Sequence, residues 1–166
     1  MLLAAASACS DKPSSGTDAG GDALTDDANE ICQGQCKLTN VTLMFQTTRT
    51  IDSAYYGTMF DSPALRIEAY RKAGPGCPTA SSTPDYTLIL GEVDPNAPSS
   101  PMSTANIRDF KGDLLGGPLG LAATMRQIDR TAWVDKTFIA VDVMLTFSSG
   151  TAVGHIYATH CDSLDM

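Results

Sequence analysis

Residues 137–147 read TFIAVDVMLTF, with Ile139, Val141, Val143, Leu145 and Phe147 on one parity and Ala140, Asp142 and Thr146 on the other. A period of two sustained over that length belongs to a half-buried β-strand. The next four residues, SSGT (148–151), form a turn of the length that joins hairpin strands, and AVGHIYATHC (152–161) returns as the partner. Shorter alternations precede this hairpin. Val41, Leu43 and Phe45 share a parity, Leu65, Ile67 and Ala69 alternate with Arg66, Glu68 and Tyr70, and Tyr86, Leu88 and Leu90 run up to Gly91. Residues 53–60 read as a further strand, and so do residues 119–130, where a short helix is the alternative. Seven or eight short strands between turn residues predict an all-β domain over residues 31–166, an antiparallel β-sandwich or small β-barrel. Abundant Gly, Pro, Ser and Thr with only 18% charged residues suits that class. Residues 92–118, which hold Pro95, Pro98, Pro101 and Pro118, read as an irregular connection. At that length a connection is either a functional loop or disordered.

The N-terminal fifth follows different rules. Residues 2–8 (LLAAASA) are apolar and small, and Ala6-Ser7-Ala8 has the small-x-small form that signal peptidases read. Cys9 follows at once. A short apolar run ending in a small residue and a cysteine resembles the lipobox of bacterial lipoproteins, with Ala6 where Leu is usual. On that reading residues 1–8 are a signal-peptide remnant and Cys9 is the lipidation site. Cleavage after Ala8 without acylation, leaving a soluble periplasmic protein, is the alternative. Residues 10–30 are Ser, Gly, Asp, Thr and Ala with Leu24 as the single large apolar side chain. They cannot bury enough surface to offset the entropy of ordering, so residues 9–30 read as a disordered acidic linker. A flexible tether of that size reaches about 25 Å.

The leader, Cys9 and the spacer SSGTDAGGDALTDDA resemble the uncharacterised lipoproteins abundant in myxobacteria, as do GPGCPTASSTPDYTL and GHIYATHCDSLD further on. The resemblance implies a lipobox-like leader, an acidic tether and a β-rich domain in the bacterial cell envelope, at the outer membrane or in the periplasm. It brings no activity with it.

Charge narrows the partners. The net charge of −8 is concentrated in residues 10–30, where six acids face one lysine, while residues 31–166 are nearly balanced. An electrostatic grip on nucleic acid needs clustered Lys and Arg, and no such cluster exists; nucleic acid is therefore not an expected partner. Membrane contact is expected through the lipid anchor at Cys9 rather than through surface charge.

Four cysteines remain in the domain: Cys32, Cys36, Cys77 and Cys161. An even number behind an export signal predicts two disulfides, with three possible connectivities. The preferred one pairs Cys32 with Cys36 and Cys77 with Cys161, the second closing a long loop worth roughly 4–5 kcal/mol by the loop-entropy model. A dithiol redox pair in CQGQC and a zinc site are the sharper alternatives. CQGQC has one residue too many between its cysteines and no helix after it, and the spacings match no zinc finger or ribbon.

Other chemistry is thinly supported. His155 and His160 are five apart, so on one strand they face opposite ways and cannot share a metal unaided. No Gly-x-Ser-x-Gly elbow occurs, and KGDLLGGPLG lacks the ending of a phosphate loop. EVDPNAP offers oxygen ligands at Glu92, Asp94 and Asn96 without the full spacing of a calcium loop. Trp133 with Tyr55, Tyr56, Tyr70 and Tyr86 makes a carbohydrate or partner platform only if several share an exposed face. If residues 53–60 are a strand, one of Tyr55 and Tyr56 points in and the other out. The sequence thus leads to a non-catalytic binding or envelope-structural module with no cofactor. Its partner is an envelope component or extracellular ligand, and the candidate binding residues are Glu92, Asp94, Asn96 and Tyr56. The alternative is an extracytoplasmic hydrolase using acids such as Glu92 and Asp94 near residues 92–118.

Overall fold

The computed structural model describes residues 31–72, 76–79 and 84–166; Cys9, the leader and the linker lie outside them. Among the described residues ten strands make one sheet: β1 (Asn40–Met44), β2 (Thr48–Ile51), β3 (Ser53–Thr58), β4 (Leu65–Arg71), β5 (Tyr86–Val93), β6 (Thr104–Asp109), β7 (Gly120–Ala122), β8 (Met125–Val134), β9 (Phe138–Phe147) and β10 (Gly150–His160). Single turns of 3-10 helix occupy Gly34–Lys37 and Asp162–Leu164. The fold is all-β, as expected. Of the two architectures the sequence allowed, the structure is the barrel-like one, a curled open sheet or half-barrel.

Strand β10 organises the curl. One of its edges pairs with β9 from Gly150 to Thr159. The other edge is divided, with β1 taking Thr151–His155 and β3 taking Thr159–His160 in parallel. The sheet forks there, β1–β2 going one way and β3–β4–β5–β6–β7 the other. Gly154, within the stretch that pairs with β1, has φ +152°, and a Cβ there would collide with the Asn40 carbonyl. Only glycine allows the close approach.

The far edges of the sheet are successive in the chain. Ala123 donates to the Ala105 carbonyl at 2.8 Å, extending the β6 pairing, and Thr124 donates to Thr146 at 2.7 Å, opening the β9 pairing. Residues 98–100 then lie along the outer edge of β8, through Ser100 N–H to Ile128 O and Arg130 N–H to Pro98 O, both 2.9 Å. An edge that would otherwise be exposed is covered.

Inward side chains from every long strand fill the half-barrel, among them Val41, Leu43, Tyr56, Ile67, Leu88, Ile107, Val141 and Leu145, all fully buried. A smaller cluster sits on the outside of the β9–β10 hairpin, where Phe138 and Ala140 pack under Cys32, Cys36 and Tyr157. Cys32–Cys36 thus caps one end of the hairpin, and the 3-10 turn between them occupies a place where the sequence showed no helix.

The reading of residues 92–118 as irregular holds for 94–103 and 110–118 and fails between them. Strand β6 runs through them, pairing Tyr86 with Asp109 through to Gly91 with Thr104. Its inward positions are Ala105, Ile107 and Asp109, too small and polar to register as a hydrophobic period. Asp109 is 1% exposed and accepts the N–H groups of Gly112 (2.6 Å), Leu114 (2.7 Å) and Leu115 (2.7 Å). One buried carboxylate therefore folds the loop after β6, as charge-assisted hydrogen bonds can. Asp113 then ties that loop to β2 and β5 through Arg49 (3.1 Å) and the Tyr86 hydroxyl, and pairs within the loop with Lys111 (3.0 Å).

Candidate ligand-binding groove

The outer face of β4–β7 carries the recess with the most chemistry. Arg66, Glu68 and Tyr70 face out from β4, Thr87, Ile89 and Gly91 from β5, and Thr104, Asn106 and Arg108 from β6. Gly120 and Ala122 of β7 lie opposite Arg108 and Asn106. Glycine at 91 and 120 and alanine at 122 leave the floor low between longer neighbours. The wall is built by the C-terminal segment. Cys161 is bonded to Cys77 across a Cα separation of 5.6 Å. Ser163 donates from its hydroxyl to the Pro78 carbonyl at 2.7 Å, and Leu164 packs on Gly57, where a Cβ would collide with its backbone. Two hollows result, of about 640 and 370 Å³, which share Arg66, Ile89 and Arg108. Both lie within the range of small-ligand sites.

The charges in the groove are unevenly committed. Glu68 is nearly buried; it accepts from Arg66 Nε at 2.6 Å and from the Tyr70 hydroxyl. Burial first, and then Glu68, push the Tyr70 hydroxyl well above the usual phenol range, so it stays a neutral donor. Arg66 is fixed by this arrangement. Arg108 is exposed and has no ion pair or side-chain hydrogen bond among the described residues. It is the cation in the groove that a ligand meets uncompensated.

The four residues nominated from sequence part company here. Glu92, the penultimate residue of β5, has φ +58° and lines the larger hollow, so it belongs to the groove. Asp94 and Asn96 do not. They form their own turn, the Asp94 carboxylate accepting the Asn96 N–H at 2.9 Å while Ser100 Oγ accepts the Asp94 N–H at 3.0 Å. Tyr56 must be withdrawn as a surface residue, because it is fully buried inside the half-barrel. It lies 5.4 Å from the Trp133 ring and 5.1 Å from the His160 ring. Tyr55 is its outward neighbour, against Tyr70 at 6.4 Å. Of the platform of Trp133, Tyr55, Tyr56, Tyr70 and Tyr86, Tyr56 and Tyr86 are therefore interior packing and Trp133 is partly buried against the core. Arg66 and Arg108 were not nominated, and no sequence signal marks them: only the strand register brings them together.

The cysteines are paired as preferred, Cys32 with Cys36 (Cα separation 5.3 Å) and Cys77 with Cys161, which leaves the zinc reading no free thiol among these four. Both histidines are half-buried and sit between acceptors. His155 reaches Asp142 at 2.8 Å and the Cys36 carbonyl at 3.0 Å. His160 reaches Asp165 at 3.2 Å and Asp162 at 3.4 Å. His160, Asp162 and Asp165 place their ligand atoms within 4.8 Å of one another. The two carboxylates, however, face different ring nitrogens, and Asp165 already accepts from the Thr58 N–H at 2.7 Å and its hydroxyl at 2.9 Å. The trio works as a clamp that fastens the C-terminal segment to β3 and β10.

Compared with known proteins, the chain matches no protein-family model, no curated protein and no solved structure.

Proposed function

We propose that this chain is an exported, lipid-tethered binding module of the bacterial envelope, that its ligand occupies the groove over β4–β7, and that Arg108 holds an anionic group of that ligand. The groove carries the reading: it is built on paired strands, walled by a disulfide-fastened segment, and supplied with one uncommitted arginine. Sites on rigid elements hold their geometry without an ordering cost at binding. The two disulfides fit an oxidising compartment, and the lipobox-like leader with its acidic linker supplies the export and the tether. A binding role is favoured over turnover because the most buried acid of the groove, Glu68, is neutralised by Arg66.

The test is a glycan, peptidoglycan-fragment and peptide array probed with the chain and with two variants. Arg108→Glu reverses the charge. Gly120→Phe fills the groove, since a Cβ at Gly120 meets only ordinary contacts, at 3.7 and 3.8 Å. Both are expected to lose the same array hits while keeping the parent's melting temperature within a few degrees. Hits that survive both variants would place the ligand elsewhere. A bound compound that is chemically changed by the parent chain and not by Glu92→Gln would establish the hydrolase reading instead.

A further inference from the structure

A second face, on the outside of β8, β9, β10 and β1, is organised differently. Register sets three cross-strand rows there: Asp129, Asp142, His155 and Asn40; Gln127, Met144, Val153 and Thr42; Met125, Thr146, Thr151 and Met44. No Lys or Arg occupies any of these positions. The large apolar side chains are open to solvent, Met125 at 68%, Met144 at 56%, Met44 at 45% and Val153 at 37% exposure. Contiguous exposed apolar side chains mark interaction surfaces, and methionine adapts to varied partners.

The acids indicate the partner's charge. Asp129 and Asp142 stand directly opposite each other on neighbouring strands, an arrangement that like charges disfavour. Their side-chain partners are Gln127 at 2.7 Å and His155 at 2.8 Å, and among the described residues neither forms an ion pair with Lys or Arg. Beside them is a recess of about 430 Å³, lined by Asp129, Asp142, Met144, Val153 and His155. It has an apolar side and an acidic end. A long basic side chain has the matching construction, an aliphatic stem ending in a charge.

We propose that this face docks an extended, basic-and-apolar segment of a partner protein, with one of its Arg or Lys side chains in the recess. The stem lies along Met144 and Val153, and the cation lies between Asp129 and Asp142. The remaining apolar side chains of the segment cover Met125 and Met44. A second copy of this chain would bring the same acids to the same acids. This inference does not depend on the groove, which lies on other strands.

The probe is a synthetic octapeptide of alternating leucine and arginine, with leucine–glutamate and glycine–arginine octapeptides as controls, titrated against the full chain by fluorescence anisotropy. Leucine–arginine is expected to bind at least tenfold tighter than either control and to weaken as salt is added. Asp129→Asn with Asp142→Asn, and separately Met144→Ser, are expected to cost at least tenfold each. Asp61→Asn, the same change at an exposed acid between β3 and β4, is expected to change nothing. Equal affinity for the leucine–glutamate peptide, or affinity unchanged in the Asp129→Asn, Asp142→Asn variant, would overturn the proposal. So would concentration-dependent dimerisation abolished by Met144→Ser, which would give the face to a second copy. Vesicle binding that depends on Met144 without discrimination between the peptides would give it to a lipid surface.

Discussion

Two aspartates hold the loop after β6, by different means. Asp109 is buried and binds three backbone N–H groups, so Asp109→Ala strands those donors inside the protein. The expected loss is about 3 kcal/mol or more, from hydrogen bonds to a charged group at roughly 1.5–3 kcal/mol each. Asp109→Asn should cost less, because one carbonyl oxygen still accepts; urea unfolding of the two variants makes the comparison. Asp113 is part-exposed. The Tyr86 hydroxyl first, and then Lys111, hold its carboxyl well below its ordinary value of 3.8. A depressed folded value means that its stabilisation is complete above the unfolded value and disappears as pH falls through the folded one. Stability should therefore decline as pH drops below about 4, and Asp113→Asn should flatten that part of the curve. Melting temperatures at intervals between pH 2 and 6 would show it. Neither residue stands out in sequence: Asp109 occupies an alternation of Ala, Ile and Asp, and Asp113 is one acid among nineteen.

At the scale of the element, what could be read depended on how much of a strand's inward face is large and apolar. Strand β9 places Ile139, Val141, Val143, Leu145 and Phe147 inward, and the β9–β10 hairpin is legible from those residues alone. Strand β2 offers Ile51 as its buried position, and β6 offers alanine and a buried acid, so neither announces itself. The groove and the methionine face are harder still, because outward residues of separate strands compose them. Arg66, Ile89 and Arg108 become neighbours only when three strands are set in register, and a one-residue slip would turn each to the other face. The close approach of β1 to β10 makes its own demand. Gly154→Val should destabilise the sheet by more than 1 kcal/mol, the sum of a strained φ and a collision with Asn40. The effect should appear as early hydrogen exchange in β1, with β9 still protected.

Across the whole molecule, the two disulfides act at different ranges. Cys32–Cys36 closes a local turn that packs outside the hairpin, and Cys77–Cys161 pins the segment that walls the groove. The second closes a loop of 84 residues in sequence separation, for which chain entropy gives roughly 4–5 kcal/mol. Cys77→Ser with Cys161→Ser should lower stability by an amount of that order, and protease should then cut the C-terminal segment before the sheet. The all-β class and the cysteine pairing were legible because alternation and cysteine parity are local counts. The curl was not, because it depends on the chain passing from one sheet edge to the other within Ala123 and Thr124.

The position of β10 also decides when the sheet can close. Strand β10, which follows the other nine described strands in sequence, holds β9, β1 and β3 at once. A chain emerging N-terminus first from a ribosome or a translocation pore would therefore have its early strands in hand and no partner to close them on until Gly150–His160 came free. Contacts this distant in sequence form slowly, and the waiting chain exposes unpaired strands. Its passage and its folding thus fall in a fixed order, set by which strand was left for last.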